Sequence, residues 1–275
     1  MTIREAVQSA SERLELHRVS NARLTAELLL AHALSVHREY LYAHDDRVLS
    51  DDQTQALEDL LYDRITGTPL QYIVGKQEFY GRYFHVNPAV LIPRPETEYI
   101  VESVLETTRR PFRLLDVGTG SGCIAVTLAL EVPGAEIFAT DISEEALQIA
   151  RQNAWRLGAK VGFACMDVLD AIAGKFDFIV SNPPYVRRDD MSRLQREVRE
   201  HEPHVALFSP EDEMAIYRRL VFGGEKLLKP RGRLIMEVGF GMDASVLELL
   251  DEKWEKLPTT ADLQGIPRTV IAQLR

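Results

Sequence analysis

The chain of 275 residues is 45% hydrophobic and 27% charged, and its formal net charge is -10. This length allows one large α/β domain with a smaller second domain, and the composition excludes disordered, collagen-like and disulfide-rich proteins. Because of the acidic balance, the lack of a long apolar segment and the lack of a signal-peptide pattern, we expect a cytoplasmic protein with no stable nucleic-acid partner and no membrane contact.

Residues 1–75 have the pattern of a small helical bundle. Apolar residues recur at helical intervals after three candidate N-terminal caps: Thr2 with Glu5, Asn21, and Ser50 with Gln53. Gly67 and Pro69 end the third helix. Because short helices are stable only when their apolar faces pack together, we predict a helical domain over residues 1–75.

The segment over residues 76–95 has a different character. Residues 78–86 are rich in aromatic and β-prone side chains around Gly81, which predicts a hairpin. Pro93 and Pro95 then exclude the continuation of either a helix or a central strand. We therefore predict a hairpin followed by a stiff, proline-rich linker.

From residue 96 to residue 275 short apolar runs alternate with amphipathic stretches. The predicted strands are residues 114–117, 136–140, 161–165, 176–181 and 233–238, and the predicted helices are residues 121–131 and 143–157. Strands that alternate with helices form a doubly wound, mostly parallel sheet of the Rossmann-like α/β class. Residues 268–274 follow a Gly-Ile-Pro turn and are predicted to add an antiparallel strand at an edge.

A glycine-rich loop follows the first of these strands, with the sequence Asp116-Val117-Gly118-Thr119-Gly120-Ser121-Gly122. Where a strand becomes a helix, the backbone can approach a ligand closely and its N–H groups face outward. Asp141 ends the next strand, where a carboxylate can accept both hydroxyls of an adenosine ribose. After the third strand, Asp167 is predicted to meet the adenine amino group and Val168 to pack on the ring. A turn that holds no ligand is the alternative.

The spacing of the glycines indicates the class of ligand. Dinucleotide sites prefer G-x-G-x-x-G, whereas here an acidic residue is followed by G-x-G-x-G, a spacing that resembles class I methyltransferases. S-adenosylmethionine carries an amino-acid tail instead of a pyrophosphate, so Asp116 and the loop backbone would receive its ammonium and carboxylate groups. The predicted cofactor-binding residues are Asp116, Gly118, Thr119, Gly120, Ser121, Gly122, Asp141, Asp167, Val168 and Asn182.

The motif Asn182-Pro183-Pro184-Tyr185 follows the fourth strand, at the carboxyl edge where such sheets bind ligands. An amide or exocyclic amine is a poor nucleophile because its lone pair is delocalised, so it must be oriented before it attacks a methyl group. The Asn182 side-chain oxygen and the Pro183 carbonyl can accept its two N–H bonds, while Tyr185 can stack on a planar group. These four residues are the predicted catalytic site, which needs no metal. A rigid turn without chemistry is the alternative.

These motifs resemble the release-factor glutamine methyltransferase family along nearly the whole chain. The segments that carry the resemblance are Phe79-Tyr80-Gly81, residues 90–98 with the sequence Val-Leu-Ile-Pro-Arg-Pro-Glu-Thr-Glu, residues 116–122, residues 182–185, and Glu202-Pro203 followed by Ala206-Leu207. The resemblance implies an S-adenosylmethionine-dependent enzyme that methylates the glutamine of the Gly-Gly-Gln motif in peptide-chain release factors. It also implies a substrate-binding domain over residues 1–75 and a methyltransferase domain over residues 96–275.

Two positions depart from the family pattern. Val168 stands where many members have an aromatic residue, and His201 stands where a tyrosine is usual. The first departure concerns the packing of adenine, and neither concerns the methyl-transfer motif.

Three other classes of function are weighed against this one. Methyltransferases that act on adenine in nucleic acid share the Asn-Pro-Pro-Tyr motif, but the acidic charge and the lack of a recognisable base-reading module argue against them. A catalytically silent cofactor-binding scaffold would not need Asn182 or Tyr185. A nicotinamide dehydrogenase would place its third glycine at position 123 and carry a second dinucleotide half.

Overall fold

The computed structural model describes residues 1–209, 212–262 and 264–275, with Arg188 described by its backbone alone. The chain forms two compact units. The helical unit comprises Met1–Lys76 and Gln195–His201, and the sheet unit comprises Gln77–Leu194 and Glu202–Arg275. Among the described residues, no helix combines the length and the apolar character needed to cross a membrane.

The helices are α1 (Ile3–Leu16), α2 (Ala22–Ala33), α3 (Arg38–Ala43), α4 (Asp51–Thr66), α5 (Leu70–Val74), α6 (Glu98–Thr107), α7 (Cys123–Glu131), α8 (Glu144–Leu157), α9 (Arg196–His201), α10 (His204–Leu207), α11 (Ala215–Leu227) and α12 (Asp243–Glu248). The strands are β1 (Lys76–Phe79), β2 (Arg82–His85), β3 (Arg113–Val117), β4 (Glu136–Asp141), β5 (Val161–Cys165), β6 (Phe176–Ser181), β7 (Leu228–Glu237), β8 (Trp254–Lys256), β9 (Thr260–Ala261) and β10 (Pro267–Leu274). Short 3-10 helices span Pro95–Thr97 and Arg188–Arg193.

The helical unit is built on capped amphipathic helices. At α1 the Glu5 N–H donates to Thr2 Oγ1 at 3.2 Å and the Thr2 N–H donates to Glu5 Oε2 at 2.8 Å, which confirms the predicted capping box. Ser50 and Gln53 repeat this arrangement at α4. Asn21 precedes α2, but its φ of 51° is left-handed and its side chain makes no capping hydrogen bond. The predicted side-chain cap at Asn21 is therefore wrong.

The apolar faces of these helices form one core, in which Leu14, Leu29 and Leu57 are fully buried. α9 belongs to the same unit although it lies far along the chain. Arg64 Nη1 forms an ion pair with Glu197 Oε2 of α9 at 2.7 Å, and Arg64 is buried. Residues 195–201 therefore complete the packing of the helical unit.

β1 and β2 form the predicted hairpin as a separate two-stranded sheet. Tyr80 and Gly81 make the turn with φ values of 50° and 72°. Positive φ at both central residues is typical of the type I′ turn, whose twist suits a hairpin. The prolines that follow lead into the 3-10 turn at Pro95–Thr97 and then into α6, which is not among the predicted elements.

The larger sheet has the strand order β5-β4-β3-β6-β7-β10-β8, and β9 pairs with β10. The strands from β5 to β7 are parallel, which confirms the predicted doubly wound class. β10 pairs antiparallel with β7, as predicted. The short β8 pairs antiparallel on the other side of β10 and ends the sheet.

Both faces of this sheet are buried. Leu114 of β3 packs in a cluster with α6 and α7, whereas its neighbour Leu115 packs in a cluster with α11. Phe178 and Ile179 of β6 divide in the same way. Because successive side chains of a strand point to opposite faces, this alternation places helices on both sides of the sheet. A ligand is therefore reached at the carboxyl ends of the strands.

Candidate active site

The glycine-rich loop joins β3 to α7 and lies against the end of β4. The N–H groups of Gly118 and Thr119 both donate to the Thr140 carbonyl oxygen, at 2.8 and 2.9 Å. The Gly120 N–H donates to Asp141 Oδ2 at 2.8 Å. The expectation that the loop N–H groups face a ligand is wrong for these three, because they fasten the loop to β4.

Asp116 lies beneath the loop. Its Oδ2 accepts a hydrogen bond from Thr119 Oγ1 at 2.6 Å, and the side chain is fully buried. Burial raises the pKa of Asp116 to about 7 because the carboxylate loses its hydration, although the bond from Thr119 acts in the opposite direction. In the structure Asp116 therefore orders Thr119 and does not line the cavity beside the loop.

Gly122 ends the loop at a point of close packing. Its φ is 82°, and a Cβ atom at this position would lie 3.1 Å from Ala150 Cβ in α8. The third glycine is therefore required for the approach of the loop to α8, and like Asp116 it does not line the cavity.

We expect Gly122→Ala to lower the free energy of unfolding by roughly 2–3 kcal/mol, because it combines a left-handed backbone with a steric contact. Gly158→Ala is the matched control: its φ is 76°, but the added Cβ meets no atom within 4 Å. This control should cost about 1–2 kcal/mol. Chemical denaturation of both variants measures the difference, and equal destabilisation would contradict the packing role of Gly122.

A cavity at the carboxyl edge of the sheet brings most of the predicted site residues together. The predicted residues that line it are Gly118, Thr119, Gly120, Ser121, Asp141, Asp167, Val168, Asn182, Pro183 and Pro184. Tyr185 joins Asp116 and Gly122 among those that do not. Arg219 of α11 also lines the cavity, and its Nη1 donates to Asp167 Oδ1 at 2.9 Å. The carboxylate predicted to meet adenine therefore already carries an ion pair.

Val168 has an uncommon backbone conformation at this cavity. Its φ is 51°, in a region that β-branched residues rarely adopt, and its side chain is buried. Such a conformation costs on the order of 1–3 kcal/mol and persists only where the surrounding packing enforces it. The packing thus holds a small apolar side chain against the cavity, at the position predicted to contact the adenine ring.

The Asn-Pro-Pro-Tyr motif is hydrogen-bonded to two buried residues outside it. Asn182 Nδ2 donates to Thr97 Oγ1 at 3.1 Å, and Thr97 Oγ1 donates to Glu237 Oε2 at 2.6 Å. The Tyr185 hydroxyl lies 3.5 Å from Glu237 Oε1. Asn182 Oδ1 accepts no hydrogen bond from any residue that the structure describes. The amide oxygen of Asn182 is therefore available to a ligand.

Thr97 and Glu237 are not among the predicted site residues. Glu237 is a polar residue at the carboxyl end of an apolar strand, which is the same signal that identified Asp141. Thr97 lies in the segment at residues 90–98 that carries the family resemblance, but nothing in its spacing connects it to Asn182.

The cavity fits S-adenosylmethionine. Asp141 uses Oδ1 for the Ser143 N–H at 3.0 Å and Oδ2 for the Gly120 N–H, and each oxygen retains a lone pair that can accept a ribose hydroxyl. Ser121 Oγ is buried without a hydrogen-bond partner in the described part of the chain. A Cβ at Gly118 would meet no atom within 4 Å, so the loop leaves space for a ligand there. An unpaired hydroxyl, a carboxylate and open space suit a polar ligand with a ribose.

Solved structures of other proteins share this fold, and a family model describes the sheet domain. A ribosomal protein L11 methylase from Lactobacillus delbrueckii subsp. bulgaricus aligns with a TM-score of 0.51 at 19% identity, over 72% of this chain and 88% of that one. A methyltransferase from Pyrococcus furiosus aligns with a TM-score of 0.53 at 17% identity, over 80% of this chain and 98% of that one. A family model described as the methyltransferase small domain matches residues 96–200. The chain is a class I, S-adenosylmethionine-dependent methyltransferase.

Relatives that match over their full length identify the family. The release factor glutamine methyltransferase of Koribacter versatilis is 47% identical over 99% of both chains. That of Nitratidesulfovibrio vulgaris is 38% identical over 99% of this chain and 95% of its own. A family model described as the PrmC N-terminal domain matches residues 5–75. The chain belongs to the release factor glutamine methyltransferase family.

Proposed function

We propose that the protein transfers a methyl group from S-adenosylmethionine to the side-chain amide nitrogen of the glutamine in the Gly-Gly-Gln motif of peptide-chain release factors. The observation that carries this proposal is Asn182, which lines the same cavity as the glycine loop and Asp141 and whose amide oxygen has no partner among the described residues. Family membership supports the choice of substrate.

The proposed reaction depends on orientation. Asn182 Oδ1 and the Pro183 carbonyl oxygen accept the two N–H bonds of the glutamine amide, which turns its nitrogen toward the donor. Pro184 stiffens the loop. Tyr185 supports the loop through its hydroxyl, which lies next to Glu237. When bound, S-adenosylmethionine supplies a methyl group on a positively charged sulfur. The new N–C bond forms as the C–S bond breaks, and the amide nitrogen gives up one proton to water.

The cofactor contacts are proposed from the chemistry of the side chains that line the cavity. Asp141 accepts the ribose hydroxyls, Val168 packs on the adenine ring, and Asp167 meets the adenine amino group while it stays paired with Arg219. Ser121 and the loop meet the methionyl tail. Asp116 and Gly122 act on the cofactor only through the loop that they hold.

The parts of the chain have different proposed roles. Residues 1–75 bind the release factor, and residues 96–275 carry out methyl transfer. Residues 76–95 are the linker that joins these two domains along the chain. The match to the PrmC N-terminal domain over residues 5–75 supports a separate domain in the first of these ranges. We place the enzyme in the cytoplasm with release factors as its partners and with neither a stable nucleic-acid partner nor a membrane.

Incubation with isotope-labelled S-adenosylmethionine tests the proposed function. A release factor and structured nucleic acids are offered separately, and the products are analysed by mass spectrometry. We expect the label on the glutamine of the Gly-Gly-Gln peptide, with the mass gain of one methyl group in place of one hydrogen. A release factor with asparagine in place of that glutamine is the control. Label found only on adenine would show that the substrate is a nucleic acid, and the proposed roles of the cofactor and Asn182 would remain.

A further inference from the structure

We infer that Thr97 and Glu237 are positioning residues that determine which way the Asn182 side-chain amide faces, so that its oxygen and not its nitrogen meets the glutamine amide. This inference rests on the proposed function and deepens it. It extends the methyl-transfer site to two residues outside the Asn-Pro-Pro-Tyr motif.

The direction of the hydrogen bonds follows from the number of protons available. An ionised carboxylate only accepts, so Thr97 must donate its single hydroxyl proton to Glu237 Oε2, 2.6 Å away. The lone pairs that remain on Thr97 Oγ1 can only accept, and the atom that meets them at 3.1 Å must therefore be a donor. Asn182 must turn its NH2 group to Thr97, which leaves Oδ1 on the opposite side.

Burial makes this arrangement hard to reverse. Thr97 is 3% exposed and Glu237 is 2% exposed, so water has little access to replace a missing partner. A rotated Asn182 amide would place two acceptor oxygens against each other. An unsatisfied buried polar group costs about 1–3 kcal/mol, which disfavours the rotated amide by roughly 5- to 150-fold.

Three elements of the sheet unit supply these residues. Thr97 ends the 3-10 turn before α6, Asn182 follows β6, and Glu237 ends β7. β6 and β7 are paired strands, and the Tyr217 hydroxyl donates to the Glu237 carbonyl oxygen at 2.8 Å. Rigid secondary structure therefore holds the residues of this hydrogen-bond series in place, and accurate positioning of a reacting group requires such support.

The charge on Glu237 determines the direction of the hydrogen bonds that join Asn182, Thr97 and Glu237. Burial raises the pKa of Glu237 to about 7; Thr97 and Arg268 oppose this change and Glu96 adds to it. The nearby groups Tyr185, Tyr217 and Cys123 have pKa values raised by burial and stay neutral in this range. A protonated Glu237 can donate to Thr97, which can then donate to Asn182 Oδ1. Methyl transfer should therefore weaken as the pH falls below about 7.

Steady-state methylation of a release factor by wild type, Thr97→Val, Thr97→Ser and Thr127→Val tests the inference. Thr127 is the matched control because it is fully buried and its hydroxyl has no partner within the described residues. We expect Thr97→Val to lower kcat by roughly 10- to 30-fold, with the Kd for S-adenosylmethionine within about twofold of wild type. Thr97→Ser should have a kcat within about threefold of the wild-type value, and the kcat of Thr127→Val should match wild type.

Glu237→Gln gives a second and independent measurement. A glutamine can accept from Thr97 or donate to it, as a protonated glutamic acid can. We expect kcat near pH 8 to fall by roughly fivefold and the decline of kcat near pH 7 to disappear. Asp116 has a pKa of about 7 as well and is unchanged in this variant. Loss of the acid limb in Glu237→Gln would therefore assign it to Glu237.

Several outcomes would overturn the inference. They are a Thr97→Val enzyme as fast as Thr127→Val, a Thr97→Ser enzyme as slow as Thr97→Val, an acid limb that persists in Glu237→Gln, and a loss of cofactor affinity that matches the loss of kcat. If Thr97→Val does not fold, the comparison of Thr97→Ser with Glu237→Gln decides. If wild type methylates no release factor, the proposed function fails, and the same variants are measured on the substrate that mass spectrometry identifies.

Discussion

Asn182→Ala is expected to lower kcat for glutamine methylation by roughly 10²- to 10³-fold, because it removes an acceptor that orients the reacting amide. In the structure Asn182 lines the cavity, and among the residues that the structure describes its side chain hydrogen-bonds only through its nitrogen, to Thr97. The effect should lie in the chemical step, since the glycine loop and Asp141 stay intact. The Kd for S-adenosylmethionine is therefore expected to change by less than about threefold.

Single-turnover kinetics and calorimetric titration of the cofactor separate these two quantities. Asn182→Asp is the informative companion variant, because it keeps an acceptor oxygen at this position but replaces the NH2 group that donates to Thr97 with a second acceptor oxygen. We expect its kcat to fall between those of wild type and Asn182→Ala. A loss of less than about fivefold in Asn182→Ala would contradict the orienting role.

Asp141→Ala is expected to weaken binding of S-adenosylmethionine by roughly 100-fold, because two ribose hydroxyls lose a charged acceptor and the Gly120 N–H loses its partner. At saturating cofactor, kcat should fall far less. Burial raises the pKa of Asp141, so the affinity of the wild-type enzyme should decline as acid protonates this carboxylate.

Asp177→Ala is the matched control for this loss. Asp177 Oδ2 also accepts a backbone N–H, from Arg113 at 2.8 Å, but Asp177 does not line the cavity. Calorimetric titration of both variants should show weak binding only in Asp141→Ala. Equal weakening in both would attribute the effect to folding, and an unchanged Kd in Asp141→Ala would place the ribose elsewhere.

Local patterns in the sequence were enough to predict the parallel strands, since an apolar run and its boundary residues are properties of a few neighbouring positions. The helices α3 and α5 have 6 and 5 residues, which is less than two turns, and a helical period cannot be recognised over that length. α6 follows two prolines that read as a linker. At Asn21 the residue type is that of a cap, but the left-handed backbone turns the side chain away from that role.

Candidate site residues can be predicted from short motifs and from the polar residues at strand ends, but not where packing alone brings residues together. The glycine loop and the Asn-Pro-Pro-Tyr motif are short segments with recognisable spacing. Thr97 and Glu237 are 140 positions apart, and their contact depends on how α6 and β7 meet. The sequence predicts that the loop N–H groups face a ligand. It does not predict their bonds to Thr140 and Asp141, because these bonds depend on the pairing of β3 with β4.

The inclusion of residues 195–201 in the helical unit has a consequence for the order of synthesis. A chain leaves the ribosome from its N-terminus, so α1 to α5 emerge long before α9 is made. During that interval Arg64, which is buried in the whole protein, can bond to the Thr68 carbonyl oxygen but lacks the Glu197 carboxylate. A fragment that stops at Lys76 would keep this defect permanently, so the helices expressed alone should be less stable than the same helices in the whole protein.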